Sequence, residues 1–167
     1  MRNRVYLRRP SPSDETGFLA AARASGALHR PWASPPATPA AFGDYLRRME
    51  RDENAAFLVC RRDTDTIAGA IEITNIVLGR FRSGYLGYYA FSGHERRGFM
   101  REGLLLVIAE AFNGLGLHRL EANIQPGNAA SIALVRSCGF SKEGYSPRYL
   151  RIGGRWRDHE RWAILAG

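Results

Sequence analysis

Residues Leu117 to Phe140 read LHRLEANIQPGNAASIALVRSCGF, and the reading of this stretch decides the fold. Leu120 to Ile124 has the composition of a buried strand. Pro126-Gly127 breaks it, and Asn128 is a good helix N-cap because its side chain can accept a first-turn amide. The helix runs to Ser137 and stops at Gly139, where glycine tolerates the left-handed backbone of a helix end. A second unit of the same design lies upstream. Ser83 to Phe91 is a tyrosine-rich strand, His94 to Arg101 (HERRGFMR) a basic turn, and Met100 to Asn113 a helix. Leu104, Val107, Ile108, Ala111 and Phe112 have the spacing of a core-facing stripe. Two strands thus feed two helix N-termini, one crowded with arginine. That layout suits a phosphorylated cofactor held between neighbouring strands.

The flanking sequence completes an α/β pattern. Val5 to Arg8 alternates as a first strand, and Ser13 is expected to cap a helix running to about Ala24 and ending near Gly26. From His29 to Pro39 four prolines fix φ and remove donors, so this stretch is an ordered loop, with Trp32 either a core anchor or a surface contact. Ala40 to Arg51 is a second helix. Ala56 to Arg61 and Ile67 to Val77 are strands joined by a short turn. Phe140 to Leu150 and Asp158 to Leu165 pair around Gly153-Gly154. The expected order is β-α-α-β-β-β-α-β-α-β-β: a mixed, mostly antiparallel sheet with helices on its faces.

With 167 residues, 45% of them hydrophobic, the chain suffices for one domain with a proper core, spanning 1–167. The net charge of +8 fits nucleic acid, a ribosome or a polyphosphate ligand. Lys142 is the only lysine, however, and the wealth of Arg, Ala and Gly also fits a GC-rich coding bias. The arginines form no single run, which counts against nucleic acid. Cys60 and Cys138 show no metal or disulfide spacing and read as buried, reduced thiols. The four scattered histidines have no ligand spacing, so no metal is expected. Met1 to Glu15 lacks the apolar centre of a signal peptide, and no apolar run is long enough to span a bilayer. A cytoplasmic protein without a membrane partner is the expectation.

Within the basic turn, helix-start amides are unpaired and carry partial positive charge, so they suit phosphate. Gly98 allows close backbone approach, and Arg96, Arg97 and Arg101 add charge. Alone, the turn reads equally well as a solvated loop, because the glycines and Lys-Ser/Thr of a P-loop are absent. Asn128 and Ser131 read as a cap and a first-turn hydroxyl, or as polar groups facing the same cleft as the arginines.

The blocks HERRGFMREGLLL, LHRLEANIQPGNAASIALVRSCGFSKEGY and IGGRWRDHERWAIL, between about Ala68 and Leu165, resemble the GNAT acetyltransferase superfamily and its ribosomal-protein-alanine N-acetyltransferase branch. The resemblance implies the GNAT-type acyl-CoA N-acyltransferase fold with a central strand splay, in which Tyr88, Tyr89, Ala90 and Phe91 leave main-chain groups for the pantetheine arm of acetyl-CoA. It implies that the turn Arg96, Arg97, Gly98, Phe99, Met100 and Arg101 holds the diphosphate, that Asn128 meets the pantetheine, and that Ser131 sits near the thioester sulfur. Two departures stand out. Glu95-Arg96 replaces the usual Gln/Arg-Gly opening of the turn, and the family's common acid and base positions hold Val135 and Tyr85.

The implied reaction is acetyl transfer to a primary amine. The acceptor is a protein N-terminus, a ribosomal protein in particular, or alternatively a small amine, amino acid or antibiotic. A non-catalytic CoA-binding module is a further alternative, and a homodimer is an open one. Glu72 is the candidate to order a water as base, against a reading as a solvent-facing strand residue, with Glu121 placed behind it. A backbone N–H near Tyr89 to Phe91 is the candidate oxyanion donor, and Ser131 the group that meets the leaving thiolate. Acceptor recognition is assigned to His29 and Trp32 on the proline loop and to Tyr149 and Trp156 on the C-terminal hairpin.

Overall fold

The computed structural model describes residues 3–167; Met1 and Arg2, part of the stretch read as lacking a leader, lie outside the described residues. One seven-stranded sheet carries the fold. In chain order it comprises β1 (Val5–Arg8), β2 (Ala55–Arg61), β3 (Ile67–Val77), β4 (Ser83–Ala90), β5 (Arg119–Ile124), β6 (Ser141–Ile152) and β7 (Arg155–Leu165). Across the sheet the order is β1-β2-β3-β4-β5-β7-β6. All neighbours are antiparallel except β4 and β5. This parallel pair is joined by a crossover that contains the helix Phe99–Ala109, as parallel pairs require.

The parallel pair is short. Only Ser83–Arg119, Gly84–Leu120 and Tyr85–Glu121 are in register, after which the strands part. β4 goes on pairing with β3 as far as Gly69–Ala90, and β5 with β7 as far as Ile124–Glu160. The splay expected of the fold is therefore present at the centre of the sheet.

Helices cover both faces, as strand alternation demands. On one side α4 (Phe99–Ala109) and α5 (Ala129–Ser137) bury Leu104, Val107 and Val135 against Ile71, Ile73, Leu120 and Ala122. On the other, α1 (Glu15–Ala24) and α3 (Pro39–Met49) bury Phe18, Phe42 and Tyr45 against Leu58, Ala70 and Phe91. A four-residue α2 (Gly26–His29) follows α1. Thr38 caps α3, with Pro39 in its first turn, so this helix starts earlier than Ala40 and ends at Met49. α4 loosens into a π-turn over Glu110–Gly114. Both cysteines are free and buried.

One local expectation changes. Ser13 does not cap α1, because it lies inside a 3-10 turn, Pro12–Asp14, that leads into the helix. Ser11 stands at the N-cap of that turn, and its N–H donates to Asp14 Oδ2 at 2.8 Å. Asp14 also receives both Arg8 nitrogens, at 2.8 and 2.7 Å, although it is itself buried. Burial alone would raise its pKa, but the bonds from Arg8 and Ser11 outweigh it and hold the carboxyl below its ordinary value.

The folded state therefore favours the charged form, and this stabilisation is complete above about pH 4 and lost as pH falls through the lowered pKa. Asp14→Asn is expected to destabilise the protein by about 1.5–3 kcal/mol at pH 7. In urea melts the gap from wild type should close toward pH 2; a gap constant with pH would count against this account.

Candidate active site

The turn between β4 and α4 adopts the shape that a helix-start anion site needs. Gly98 has φ 82° and precedes the first residue of α4. An added Cβ there would lie 3.0 Å from Arg4 Nη2. Arg96 also has a left-handed backbone, φ 59°. The glycine usual at that place is absent, but the loop keeps the conformation that glycine would favour. The first intrahelical bond is Glu102 N–H to Gly98 O at 3.1 Å, so the amides of Phe99, Met100 and Arg101 start the helix without helical partners. They border a cavity of about 750 Å³, lined from this turn by His94, Glu95, Arg96, Gly98, Met100 and Arg101. The small residues Ala129 and Ala130 of α5 form the facing wall.

Three of the expected residues do not line the cavity with their side chains. Phe91 and Phe99 do not reach the cavity with their side chains: each is buried, in opposite faces of the core. Strand alternation sends Phe91 toward α1, and Phe99 turns inward at the start of α4. Arg97 stacks its guanidinium 5.0 Å from the Phe99 ring, beside those of Arg4 and Arg61 at 4.9 Å each. It lies next to the cavity without lining it.

Backbone direction in β4 narrows the candidate donors. Phe91 N–H donates to Ala68 O at 2.8 Å, on the β3 side, while Arg82 O accepts from His118 and Arg119 on the β5 side. Main-chain groups alternate along a strand, so Tyr89 faces β3 like Phe91, whereas Tyr88 and Ala90 face the gap. Of the stretch Tyr89 to Phe91, only Ala90 offers its N–H there. Its carbonyl is already engaged by His29 Nε2 at 2.6 Å. A carbonyl only accepts, so that ring nitrogen carries the proton. His29 is buried against Tyr89 and Phe91 and braces the strand end rather than meeting an acceptor.

At the start of α5, Asn128 Oδ1 accepts the Ser131 N–H at 3.3 Å, as an N-cap does. Ser131 Oγ lies 2.6 Å from the Tyr88 hydroxyl, which also reaches Ser131 O at 3.1 Å. Burial pushes the Tyr88 phenol above its ordinary value, with the bond to Ser131 opposing, so it stays protonated. Sequence reasoning placed Tyr88 only as a main-chain contact; nothing in the linear pattern signals a hydroxyl partner 43 residues away. Val135 is fully buried, which removes the usual acid position from the site.

A second cavity, of about 500 Å³, meets the first at Trp32, Ala33, Tyr88, Tyr89, Asn128 and Ser131. Glu72 projects into it from β3 with 26% of its side chain exposed, so it is not a solvent-facing strand residue. Burial pushes its carboxyl above the usual value; Arg48, 3.7 Å away, pulls in the other direction. Glu121 is held by Arg119 at 3.0 Å and does not line the cavity. Trp32 is not a core anchor: it forms the wall shared by both cavities and packs near Gly127, where an added Cβ would be 3.2 Å from the ring. Tyr85 and Tyr149 line this second cavity, but Trp156 is 62% exposed and outside it. Among the described residues no group of three His, Cys, Asp or Glu is placed to hold a metal, and no helix is long and apolar enough to cross a membrane.

The family model described as an acetyltransferase (GNAT) domain matches residues 4–141. The chain belongs to the GNAT acetyltransferase family. The match extends farther toward the N-terminus than the resemblance did, and it ends before the β6–β7 hairpin. A probable N-acetyltransferase, YjcK, of Bacillus subtilis is 34% identical over 122 residues, covering 73% of this chain and 67% of that protein. The [ribosomal protein uS5]-alanine N-acetyltransferase of Escherichia coli is 39% identical over 97 residues, covering 58% of this chain and 50% of that protein. The alignment thus spans half the length of that relative. Among solved structures, Mycobacterium smegmatis RimJ in complex with CoA-disulfide superposes with a TM-score of 0.89 at 26% identity, covering 97% of this chain and 82% of that one. The ribosomal-protein-S5-alanine acetyltransferase of Vibrio fischeri does so at 0.87 and 25%, covering 99% and 94%.

The electrostatics of Glu72 yield a stability test. Its raised pKa means that the folded chain holds the proton more tightly than the unfolded one, so its contribution falls as pH rises through the Glu72 range. Glu72→Gln is expected to melt at the same or a higher temperature than wild type at pH 7, with no advantage below about pH 4. A large loss of stability at pH 7 would show instead that the Arg48 pair is structural.

Proposed function

We propose that the chain transfers an acetyl group from acetyl-CoA to a primary amine, in its finest reading the N-terminal α-amine of a protein. One observation carries this: β4 and β5 part after Tyr85, leaving the main-chain groups of Tyr88 and the N–H of Ala90 without a strand partner beside the free amides of α4. The site fits the co-substrate. Gly98 and the alanines of α5 leave room where side chains would obstruct, and the α4 amides with Arg96 and Arg101 offer a diphosphate both hydrogen bonds and charge. The names of the relatives support the α-amine, and the open cavity between the proline loop and the hairpin accommodates a chain end.

When bound, acetyl-CoA supplies an activated thioester carbonyl. The residues do the rest. Ala90 N–H, aimed into the gap, stabilises negative charge on the carbonyl oxygen. Glu72 accepts the proton of the attacking amine through a water. An α-amine has a pKa about two units below that of lysine, so little driving force is asked of the carboxylate. Ser131, backed by the Tyr88 hydroxyl, donates to the leaving thiolate. Asn128 holds the Ser131 amide and so fixes that hydroxyl at the junction of the two cavities.

CoA should raise the melting temperature of the protein, and Gly98→Ala, forced into a left-handed backbone beside Arg4, should bind it about 10-fold more weakly. Thiol release with an alanine-led ribosomal peptide, unrelated peptides, polyamines and amino acids then identifies the acceptor. No shift with CoA, or no release with any amine, overturns the proposal. Ser131→Ala is expected to lower kcat about 10- to 100-fold while changing the KM for acetyl-CoA less; an unchanged kcat removes Ser131 from the reaction.

A further inference from the structure

Four side-chain atoms among the described residues are enclosed without a hydrogen-bond partner, and two of them, the Tyr45 hydroxyl and Asn123 Oδ1, belong to residues that line the acceptor cavity. Buried polar atoms are nearly always paired, so a pair of orphans in one cavity marks a place built for a partner.

The strand registers show what Asn123 faces. Glu72 pairs with Gly87 across β3 and β4, and Tyr85 pairs with Glu121 at the last rung joining β4 and β5. Two residues farther along, Gly87 and Asn123 stand opposite each other across the gap. All three lie on one face of the sheet. Ile71, Ile73, Leu86, Tyr88, Ala122 and Ile124 pack toward α4 and α5, so their strand neighbours Glu72, Gly87 and Asn123 point the other way, into the acceptor cavity. Gly87 is the floor between the two polar residues. A Cβ there would sit 3.4 Å from Glu72 Cγ and 3.6 Å from Oε1, so any side chain at that position would occupy the space beside the carboxylate.

A carboxylate and an amide oxygen thus flank a bare glycine, and both are acceptors. The complement is a group carrying several N–H donors on one small atom, which is a primary amine. Resting on the acetyl-transfer reading, the geometry points to Asn123 as the residue that holds and orients the acceptor amine opposite Glu72. Its side-chain oxygen takes one N–H while Glu72 draws on another, directly or through water. The nitrogen is thereby fixed over Gly87, beside the gap where the thioester would lie. Tyr45, 97% enclosed by its 3% exposure and unpartnered at its hydroxyl, borders the same space from α3 and can complete the ring of contacts. Such a site selects primary amines. An N-methylated amine has one N–H fewer and a methyl group where one acceptor expects a hydrogen.

The test uses the full chain with acetyl-CoA and the best peptide found above, alongside the same peptide N-methylated at its terminus. Wild type should favour the primary amine at least about 10-fold in kcat/KM, the discrimination expected when a charged hydrogen bond is lost. Asn123→Leu should raise the acceptor KM about 10- to 100-fold, leave the KM for acetyl-CoA within about twofold and erase the preference. Its melting temperature should not fall, because an orphaned acceptor is removed. Asn123→Asp, which keeps an oxygen in place, should retain the preference. An unchanged acceptor KM in Asn123→Leu, or an equal rise in both KM values, overturns the role. Should that variant fail to fold, equal turnover of the two peptides by wild type overturns it instead. A wild-type protein that binds CoA yet acetylates no amine overturns the underlying reading, a result distinct from active enzyme indifferent to Asn123.

Discussion

The unfinished pairing between β4 and β5 is the constraint around which this molecule is arranged. A parallel ladder that stops after three rungs leaves main-chain donors and acceptors facing one another across a space too wide for hydrogen bonds. Buried and dry, such groups are costly, so the gap must hold water or a polar ligand. The structure satisfies one of them internally, by donating His29 Nε2 to Ala90 O. On the helix-covered face beside the opening, Ser131 in the first turn of α5 meets the Tyr88 hydroxyl.

The charge of the chain is less uniform than its composition suggests. Many arginines are spent within the fold. Arg4 pairs with Glu102, Arg8 with Asp14, Arg61 with Asp63, and Arg119 with both Glu121 and Glu143. Three guanidiniums crowd one phenylalanine ring beside the β4–α4 turn. Arg96 and Arg101, in contrast, line the larger cavity at the start of a helix, where amide dipoles reinforce their field. Position rather than number makes this the end of the cleft suited to an anion, set apart from the smaller cavity that Glu72 lines.

The positions where the family commonly keeps its acid and base hold Val135 and Tyr85 in this chain. Val135 is sealed in the core and Tyr85 sits on an open wall, while the hydroxyls of Tyr88 and Ser131 meet at the junction of the cavities and the Glu72 carboxylate lines the smaller of the two. The hydroxyls come from β4 and α5, the carboxylate from β3. Partial exclusion from water raises the Tyr88 phenol and the Glu72 carboxyl together. One remains a proton donor and the other becomes a better acceptor.

Local signals made most of the elements legible: Asn128 before an apolar helix, Gly139 after it, the proline cluster at 31–39, and the stripe on α4. The pairing of the two strand-to-helix units in Leu117–Phe140 and Ser83–Asn113 was readable for the same reason, since caps and periodicity are properties of neighbouring residues. Ser13, read as the cap of α1, instead lies in the turn before that helix, where the backbone of Ser11 reaches the buried Asp14–Arg8 pair. What tertiary structure alone decided was direction and adjacency. It decided that Phe91 and Phe99 turn inward, that Arg97 stacks on a ring, that Trp32 walls the cleft, and that Glu72 and Asn123 face each other over Gly87. Those outcomes depend on strand register and on which face of the sheet each helix covers, and both are set by contacts between residues tens of positions apart.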